Sequence, residues 1–304
     1  MSTLNPLEHP ICFAQPVRQV TSAWIQHVPF GMFLIDLLRP RVVVELGAYN
    51  GVSYCAFCQA VKDLKVGARC YAVDTWQGDT QSGFYEDQIL QDLREHHDPL
   101  YGGFSRLIQS TFDDALIHFA DGSIDLLHID GLHTYEAVKH DFETWLPKMS
   151  ERGVMLFHDI NVRERDFGVW KLWEEELRPA YPHYEMAHGH GLGLLAVGAQ
   201  TPEPLQKLLQ ASPKDLIRIR EFFYHLGVRL ESVEEWKQLS RQQADTIRML
   251  RDKEASLERL WSVRLEQTWS DGGIKRVFEK SLNKFRRKVS PPPGVGEPSL
   301  AEKN

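Results

Sequence analysis

Long hydrophobic runs are missing from this sequence. A membrane-spanning helix needs about 18 or more uncharged apolar residues, and the best stretch, Phe30 to Leu38, is short and contains Asp36. Cysteine is scarce as well: Cys12, Cys55, Cys58 and Cys70 are too few for a disulfide scaffold in a chain of 304 residues. Met1 to Pro10 lacks a basic region followed by an apolar one, so no secretory signal is visible there and a cytoplasmic location is expected. Positive charge is not in excess either. Lysine and arginine number 35 against 42 aspartates and glutamates, a formal charge of −7, which excludes a nucleic-acid-binding domain as the body of the protein.

What is present is ordinary globular material. With 42% apolar, 25% charged and 11% aromatic residues the chain is no collagen, mucin or wholly disordered polymer. Its length suits about two domains, or one large α/β domain with an appendage. Basic charge gathers in one place: Gly273 to Lys288 carries seven basic residues against Glu279, a local +6 that leaves −13 on the rest.

Between residues 41 and 198 short apolar runs alternate with helical patterns. Arg41–Leu46 (RVVVEL), Arg69–Val73, Arg106–Gln109, Ile124–Ile129 and Gly153–Phe157 each end at a glycine or a polar residue, and a last apolar run covers Gly191–Val197. Helical spacing marks Ser53–Lys65, Ile89–His96, Phe112–Phe119, Tyr135–Leu146 and Val169–Leu177. Ahead of these, Val17–Leu38 reads as one or two helices broken around Pro29-Phe30-Gly31 and stopped by Pro40. The alternation predicts a doubly wound, mostly parallel α/β sheet covered on both faces, whose ligands sit beyond the carboxyl ends of its strands.

Beyond Gly198 the strand signal fades. Leu205 to about Trp269 reads as helix, with Trp236, Leu239, Ile247, Leu250, Leu257 and Trp261 near a 3.5-residue stripe that Gln243 and Glu254 interrupt. The pattern suits a short coiled coil, and hence a homodimer, or a helical hairpin folded back on the domain. After Asp271-Gly272-Gly273, the residues Ile274, Val277, Phe278, Leu282, Phe285 and Val289 mark one face of a basic helix. It is either an anchor on an anionic membrane surface or a solvated helix against a partner. From Ser290 onward disorder is expected.

Two features point to a ligand. The segment Glu45 to Ser53 (ELGAYNGVS) places Gly47 and Gly51 after a strand, where they allow a tight turn and close backbone approach, and the helix starting near Ser53 presents unpaired N–H groups. It is neither G-x-G-x-x-G nor a P-loop. Asp74 stands 29 residues beyond Glu45, at the end of the next strand, where a carboxylate can accept hydrogen bonds from ribose hydroxyls.

On these residues the chain resembles the class I S-adenosylmethionine-dependent methyltransferases, over roughly Arg41 to Gly198. VVELGAYNGVS corresponds to the methionine-binding loop and YAVDTW to the ribose-binding strand end. Leu126 to Ile160 (LLHIDGLHTYEAVKHDFETWLPKMSERGVMLFHDI) is similar to the subgroup that includes macrolide sugar O-methyltransferases and cephalosporin hydroxylase-like proteins. Similar domains also occur beside glycosyltransferases in polysaccharide assembly. The resemblance implies a seven-stranded Rossmann-like methyltransferase domain over 1–200, and the residue pattern beyond it implies a helical or coiled-coil extension over 201–270, a basic amphipathic helix over 271–289 and a tail over 290–304. It implies S-adenosylmethionine as cofactor, met by Glu45, Gly47, Ala48, Tyr49, Gly51, Ser53, Asp74, Thr75, Trp76, Ser110, Thr111 and Asp130. The implied acceptor is a sugar hydroxyl of a cell-surface glycan or its precursor, and the implied partners are glycosyltransferases of glycan assembly.

The later segment also has chemical logic of its own. Asp130 ends one strand and Asp159 the next, so a parallel sheet brings both carboxylates above the same edge, as oxygen ligands of a divalent cation require. In the resembling sugar methyltransferases the aspartate of Asp-x-x-His binds magnesium and the histidine is the general base, roles carried here to Asp130 and His133. Those enzymes have Glu-Asp where this chain has His158-Asp159, and a nitrogen ligand suits magnesium poorly. Three outcomes stay open: Asp130 and Asp159 hold magnesium while His158 points elsewhere, the site takes manganese or another transition metal, or no metal binds.

Several residues carry a functional and a structural reading side by side. Trp76 either stacks on the cofactor or belongs to the core, and Ser110 and Thr111 meet adenine or cap a helix. His128 reads as a satisfied core histidine, His188-Gly189-His190-Gly191 as a turn, and Cys55 and Cys58 as buried small hydrophobes rather than half a zinc site. Asn161 to Phe167 is either a substrate lid, with Arg163 and Arg165 meeting a phosphate or uronate, or a solvated loop. Two rival functions accompany the sugar methyltransferase: an O-methyltransferase of a small secondary metabolite, and a non-catalytic cofactor-binding scaffold in glycan assembly.

Overall fold

The structure is a computed structural model and describes residues 4–79, 83–84, 87–164, 166–268, 279 and 281–286, with the backbone alone at 79 and over 262–268. Its strands are β1 (Val42–Leu46), β2 (Arg69–Asp74), β3 (Gly78–Asp79), β4 (Gly83–Phe84), β5 (Ser105–Gln109), β6 (Ile124–Ile129), β7 (Met149–His158), β8 (His183–Met186) and β9 (Leu192–Ala196). Helices α1 (Val28–Leu38), α2 (Val52–Asp63), α3 (Gln88–Tyr101), α4 (Phe112–Ala115), α5 (Tyr135–Trp145), α6 (Val169–Leu172), α7 (Arg178–Ala180), α8 (Glu203–Leu209) and α9 (Pro213–Thr268) connect and follow them.

Seven strands form one sheet in the order β5-β2-β1-β6-β7-β9-β8, and β3 pairs with β4 in a separate two-stranded sheet. Every pair from β5 to β7 is parallel, while β9 runs antiparallel to both β7 and β8. The chain winds outward from β1 through β2 to β5, then returns to β6 on the other side of β1. The carboxyl ends of β1 and β6 therefore flank the switch point, where an open α/β sheet leaves its binding crevice.

Alternation along the strands sorts their side chains onto two cores. Val43, Leu126, Val154 and Leu156 face a cluster completed by α1 and α2. Val44, Leu46, Leu127, Ile129, Met155 and Phe157 face a second one completed by α5 and α6. Both faces are thus covered, as a parallel sheet requires. The C-x-x-C pair lies in α2 with both thiols buried, and burial pushes both thiols well up.

The structure departs from the sequence reading in several places. Val28–Leu38 is one helix that runs through Pro29, because a proline near the first turn lacks only an N–H that has no intrahelical partner. Gly31 continues that helix for steric reasons, since a Cβ there would meet the Trp24 ring at 2.6 Å. Strand β8 (HYEM) escapes the sequence pattern because it is a four-residue edge strand with two polar positions. The compact unit also extends to Gln238, well beyond residue 200. Leu205 and Leu208 of α8, with Ile219, Phe223 and Leu230 of α9, are part of the first core.

α9 is continuous over 56 residues, which replaces the folded-back hairpin. A second unit begins at Leu239. In it Leu239, Ile247, Leu250, Leu257 and Trp261 are all exposed, and Glu258 lies 3.4 Å from Arg286. Of the basic tail, only Glu279 and residues 281–286 fall among the described residues, and the tail beyond 290 lies outside them. Among the described residues no helix is long and apolar enough to cross a membrane.

Candidate active site

The turn after β1 is built for close backbone contact. Gly47 adopts φ +86°, and a Cβ on it would stand 2.0 Å from the Asp130 carbonyl oxygen at the end of β6. Gly51, at φ +79°, precedes the first turn of α2, and a Cβ there would strike Leu93. Tyr49 between them is held at φ 44° and is 43% exposed. Asp74 braces this turn from β2: its Oδ2 accepts from the backbone N–H of Ala48 and of Tyr49, each at 2.9 Å, and its Oδ1 accepts from Trp76 N–H at 2.7 Å. The residue expected at a ribose therefore also organises the glycine loop. Trp76 is buried and donates its indole N–H to the Tyr49 carbonyl at 2.9 Å, so it clamps the loop from the core and does not line the cavity.

Below the turn lies a buried polar chain. Glu45 and His128 are register partners on β1 and β6, and both are fully buried. Glu45 accepts from Ser53 Oγ at 2.8 Å and pairs with His128 Nδ1 at 2.9 Å, while Trp24 Nε1 reaches His128 Nε2 at 3.2 Å. An indole N–H can only donate, so His128 accepts at Nε2 and donates at Nδ1 to Glu45. Burial pushes the Glu45 carboxyl up, against its bonds from His128 and Ser53. Glu45 thus supports the loop from beneath without lining the cavity. Trp24, from the segment ahead of α1, is a residue the sequence reading missed; one tryptophan in a polar loop carries no periodic signal.

Above the switch point opens a cavity of about 670 Å³. Its walls come from Gly47, Ala48, Tyr49 and Ser53 of the first turn, Asp74 and Thr75 after β2, Thr111 after β5, and Asp130, His133, His158 and Asp159 after β6 and β7. Ser22, Ala23 and Trp24 close one side. Gly51 and Ser110 are not among the lining residues. Ser110 Oγ bonds the Thr111 carbonyl, and Thr111 caps α4 by accepting from Asp114 N–H at 3.1 Å, so the cap reading holds for it.

The strand ends of β6 and β7 bring four donor atoms together. Asp159 Oδ2 lies 2.9 Å from His133 Nε2 and 3.3 Å from His158 Nδ1, and Asp130 Oδ1 lies 3.6 Å and 3.4 Å from the same two nitrogens. Among the described residues, Asp130, His133 and Asp159 present ligand atoms that all fall within 4.8 Å of one another. Each ring is fixed from behind. His133 stacks on Phe167 with centroids 4.5 Å apart, and His158 Nε2 meets the Gly189 carbonyl at 3.0 Å. That carbonyl also meets His27 Nε2 at 2.9 Å, and His190 Nδ1 reaches Asp159 Oδ1 at 3.1 Å. The His-Gly-His-Gly segment is therefore a turn, as its glycines suggest, that also feeds the site. Asp159 and His190 sit at φ 61° and 67°, backbone strain held at a site by the packing around it.

The charges in this cluster reinforce one another. Burial disfavours ionised Asp130 and Asp159, but the facing histidines outweigh it and hold both carboxyls well below their ordinary value. Burial likewise pushes His133 down, yet the two carboxylates pull it up to about 9, and they hold His158 well above its ordinary value. A proton-accepting role for His133 requires it to be neutral, and while both carboxylates face it unneutralised it keeps its proton. Arg163 is folded against α6, pairing with Glu174 and lying 4.4 Å over the Trp170 ring, while Arg165 lies outside the described residues.

Residues 44–160, which include every donor of the cluster and the whole glycine turn, match a family model described as a methyltransferase domain. The matched stretch contains the glycine turn and the parallel strands of a Rossmann-like fold. Over 187 residues the chain is 50% identical to the uncharacterized protein y4gI of Sinorhizobium fredii, a match covering 62% of this chain and 20% of that one. The chain thus spans about a fifth of the length of the curated relative it matches. Among solved structures it is similar to the O-methyltransferase TomG of Streptomyces achromogenes, involved in tomaymycin synthesis and bound to S-adenosylmethionine. The identity is 13% and the TM-score 0.44, over 59% of this chain and 81% of that one. It is also similar to the Podospora anserina methyltransferase PaMTH1, at 15% identity and TM-score 0.41, over 59% of this chain and 88% of that one.

Proposed function

We propose that the protein is an S-adenosylmethionine-dependent O-methyltransferase whose acceptor is a hydroxyl of a sugar. The observation that carries this reading is one cavity at the switch point with two chemically different ends. At one end are the Gly47–Tyr49 turn and Asp74; at the other are Asp130, His133, His158 and Asp159. A volume of about 670 Å³ suits a nucleoside cofactor and a small acceptor group together, since ligand cavities run to roughly 300–1,000 Å³. The glycine turn fits such a cofactor: position 47 has no room for a side chain, which keeps the loop down against β6 and the cavity open above it.

In this reading Gly47, Ala48, Tyr49 and Ser53 face the amino-acid part of the cofactor, and Asp74 and Thr75 its ribose. When bound, the cofactor supplies an electrophilic methyl group. Asp130, Asp159 and His133 stand where an acceptor hydroxyl would be held and give up its proton, with His133 as the base once its own proton is lost. The sugar as acceptor, and glycosyltransferases as partners, rest on the resemblance of Leu126–Ile160. The exposed stripe of α9 supports pairing with a second copy, and the basic tail supports contact with an anionic membrane; both are read from sequence pattern.

Calorimetric titration of S-adenosylmethionine into the full chain tests the cofactor, and transfer of a labelled methyl group to a panel of nucleotide sugars and glycans tests the acceptor. Transfer to soluble hydroxylated compounds alone would replace the sugar with a small metabolite. Binding with no transfer to any acceptor would leave a cofactor-binding scaffold, and no binding would remove the methyltransferase reading.

A further inference from the structure

The resemblance points to magnesium at this edge, and the donor set here does not fit it. Magnesium takes a near-ideal octahedron of oxygens and keeps several waters, whereas imidazole nitrogen suits transition metals such as iron and zinc, and every first-row divalent ion from manganese onward gains affinity at a mixed nitrogen–oxygen site along the Irving–Williams order. Here two carboxylate oxygens alternate with two ring nitrogens in a closed circuit: Asp130 Oδ1, His158 Nδ1, Asp159 Oδ2 and His133 Nε2, with successive separations of 3.4, 3.3, 2.9 and 3.6 Å. Bonds of about 2.1 Å place neighbouring ligands roughly 3.0 Å apart in an octahedron and 3.4 Å apart in a tetrahedron. Asp130, His133 and Asp159 present ligand atoms that all lie within 4.8 Å of one another, and His158 Nδ1 adjoins both carboxylates.

A second observation points the same way. Metal-bound histidines donate their other ring N–H to a carbonyl or carboxylate, which fixes the tautomer that leaves the ligating nitrogen bare. His158 does this: a carbonyl only accepts, so Nε2 carries the hydrogen toward Gly189 O at 3.0 Å and Nδ1 is turned to the carboxylates. His190 plays the matching part for Asp159, approaching the oxygen that the circuit leaves out at 3.1 Å.

We infer that Asp130, His133, His158 and Asp159 form a mixed nitrogen–oxygen centre for one divalent transition-metal ion, manganese, iron, cobalt or zinc, that discriminates against magnesium. This rests on the methyl-transfer reading and revises one role in it, because a His133 whose Nε2 holds the ion is a ligand and not the base; binding of the ion can be read without that reaction.

The test uses the full chain stripped with EDTA and titrated calorimetrically with manganese, cobalt and magnesium chlorides, together with the visible spectrum of bound cobalt and nitrogen couplings to bound manganese by pulsed electron paramagnetic resonance. Manganese and cobalt are expected to bind at least 100-fold tighter than magnesium, with nitrogen couplings present. His158→Glu, which restores an oxygen, is expected to narrow that preference at least tenfold. Magnesium binding within threefold of manganese, bound manganese without nitrogen coupling, or no uptake of any of the three ions overturns the inference. The wild-type comparison stands if His158→Glu does not fold. S-adenosylmethionine bound in EDTA with no cation uptake would sink the metal centre alone, and metal uptake with no S-adenosylmethionine binding would sink the methyl-transfer reading alone.

Discussion

Replacing Asp74 by asparagine probes the residue on which the glycine loop depends most directly. The wild-type carboxylate accepts three backbone N–H bonds, two at Oδ2 from Ala48 and Tyr49 and one at Oδ1 from Trp76. Asparagine offers one acceptor oxygen, and its NH₂ cannot accept. With the oxygen on the loop, Trp76 N–H loses its partner; with the oxygen turned the other way, both loop amides do. A hydrogen bond to a charged group contributes about 1.5–3 kcal/mol, so the first arrangement is the cheaper and costs roughly that amount. A loss of about 2 kcal/mol corresponds to a 10- to 100-fold rise in the Kd of a ligand held by the loop. It also corresponds to a fall in Tm of about 4–8 °C for a domain of this size. Calorimetric titration with S-adenosylmethionine and thermal unfolding of Asp74→Asn measure the two effects. A Kd within threefold of wild type together with an unchanged Tm would refute the bracing role.

Four further outcomes are expected. Gly47→Ala drives a Cβ into the Asp130 carbonyl at 2.0 Å from a backbone at φ +86°, so it should lower stability by about 3 kcal/mol or more; a Tm within 2 °C of wild type would contradict the close approach. Trp24→Phe leaves the buried His128 Nε2 without its donor and should cost about 1–3 kcal/mol in urea unfolding, while an unchanged midpoint would show the bond to be idle. Phe223→Ala empties a fully buried site and should cost about 3–5 kcal/mol, as expected only if the first turns of α9 belong to the domain. Burial raises the Asp141 carboxyl from 3.8 to about 7. Its folded pKa lies above its unfolded one, so the proton is held more tightly in the native state. Stability is then fullest below about pH 4, falls as pH rises through 7 and is level above. At about 1.4 kcal/mol per tenfold change in proton affinity, the ceiling is roughly 4 kcal/mol. Asp141→Asn should therefore be more stable than wild type at pH 8 and lose that advantage by pH 4; equal stability at both pH values would show the carboxyl to be solvated.

Much of the site was legible before any coordinates because its elements carry local signals. Short β-branched runs ending in Gly47, Asp74, Asp130 and His158-Asp159 mark strand ends, and parallel strands put such ends on one edge. The histidine after Asp130 and the imidazole in place of a carboxylate at 158 were visible as residue types. The site's depth was not. His27 and Gly189 meet across 162 residues, and Trp24 and His128 across 104. No spacing in the chain encodes such pairs, because they follow from how α1 and the β8–β9 turn settle on the sheet. Trp76 shows the same limit: an aromatic beside a ribose position reads equally well as cofactor wall or core, and its bond to the Tyr49 carbonyl decides for the core.

The order of residues by itself determined the alternating α/β architecture, the glycine turn, and the carboxylates at the ends of β2, β6 and β7, because periodicity and strand-ending residues act within a few positions of one another. Packing between distant segments decided the rest. It carried the first unit to Gln238 by burying Leu205, Phe223 and Leu230. It made Asp74 a brace for the loop, and it turned His133 and His158 onto Asp130 and Asp159 at the cavity wall. Side chains take such orientations from the lowest-energy pairing of charges and hydrogen bonds available once the backbone has closed around them.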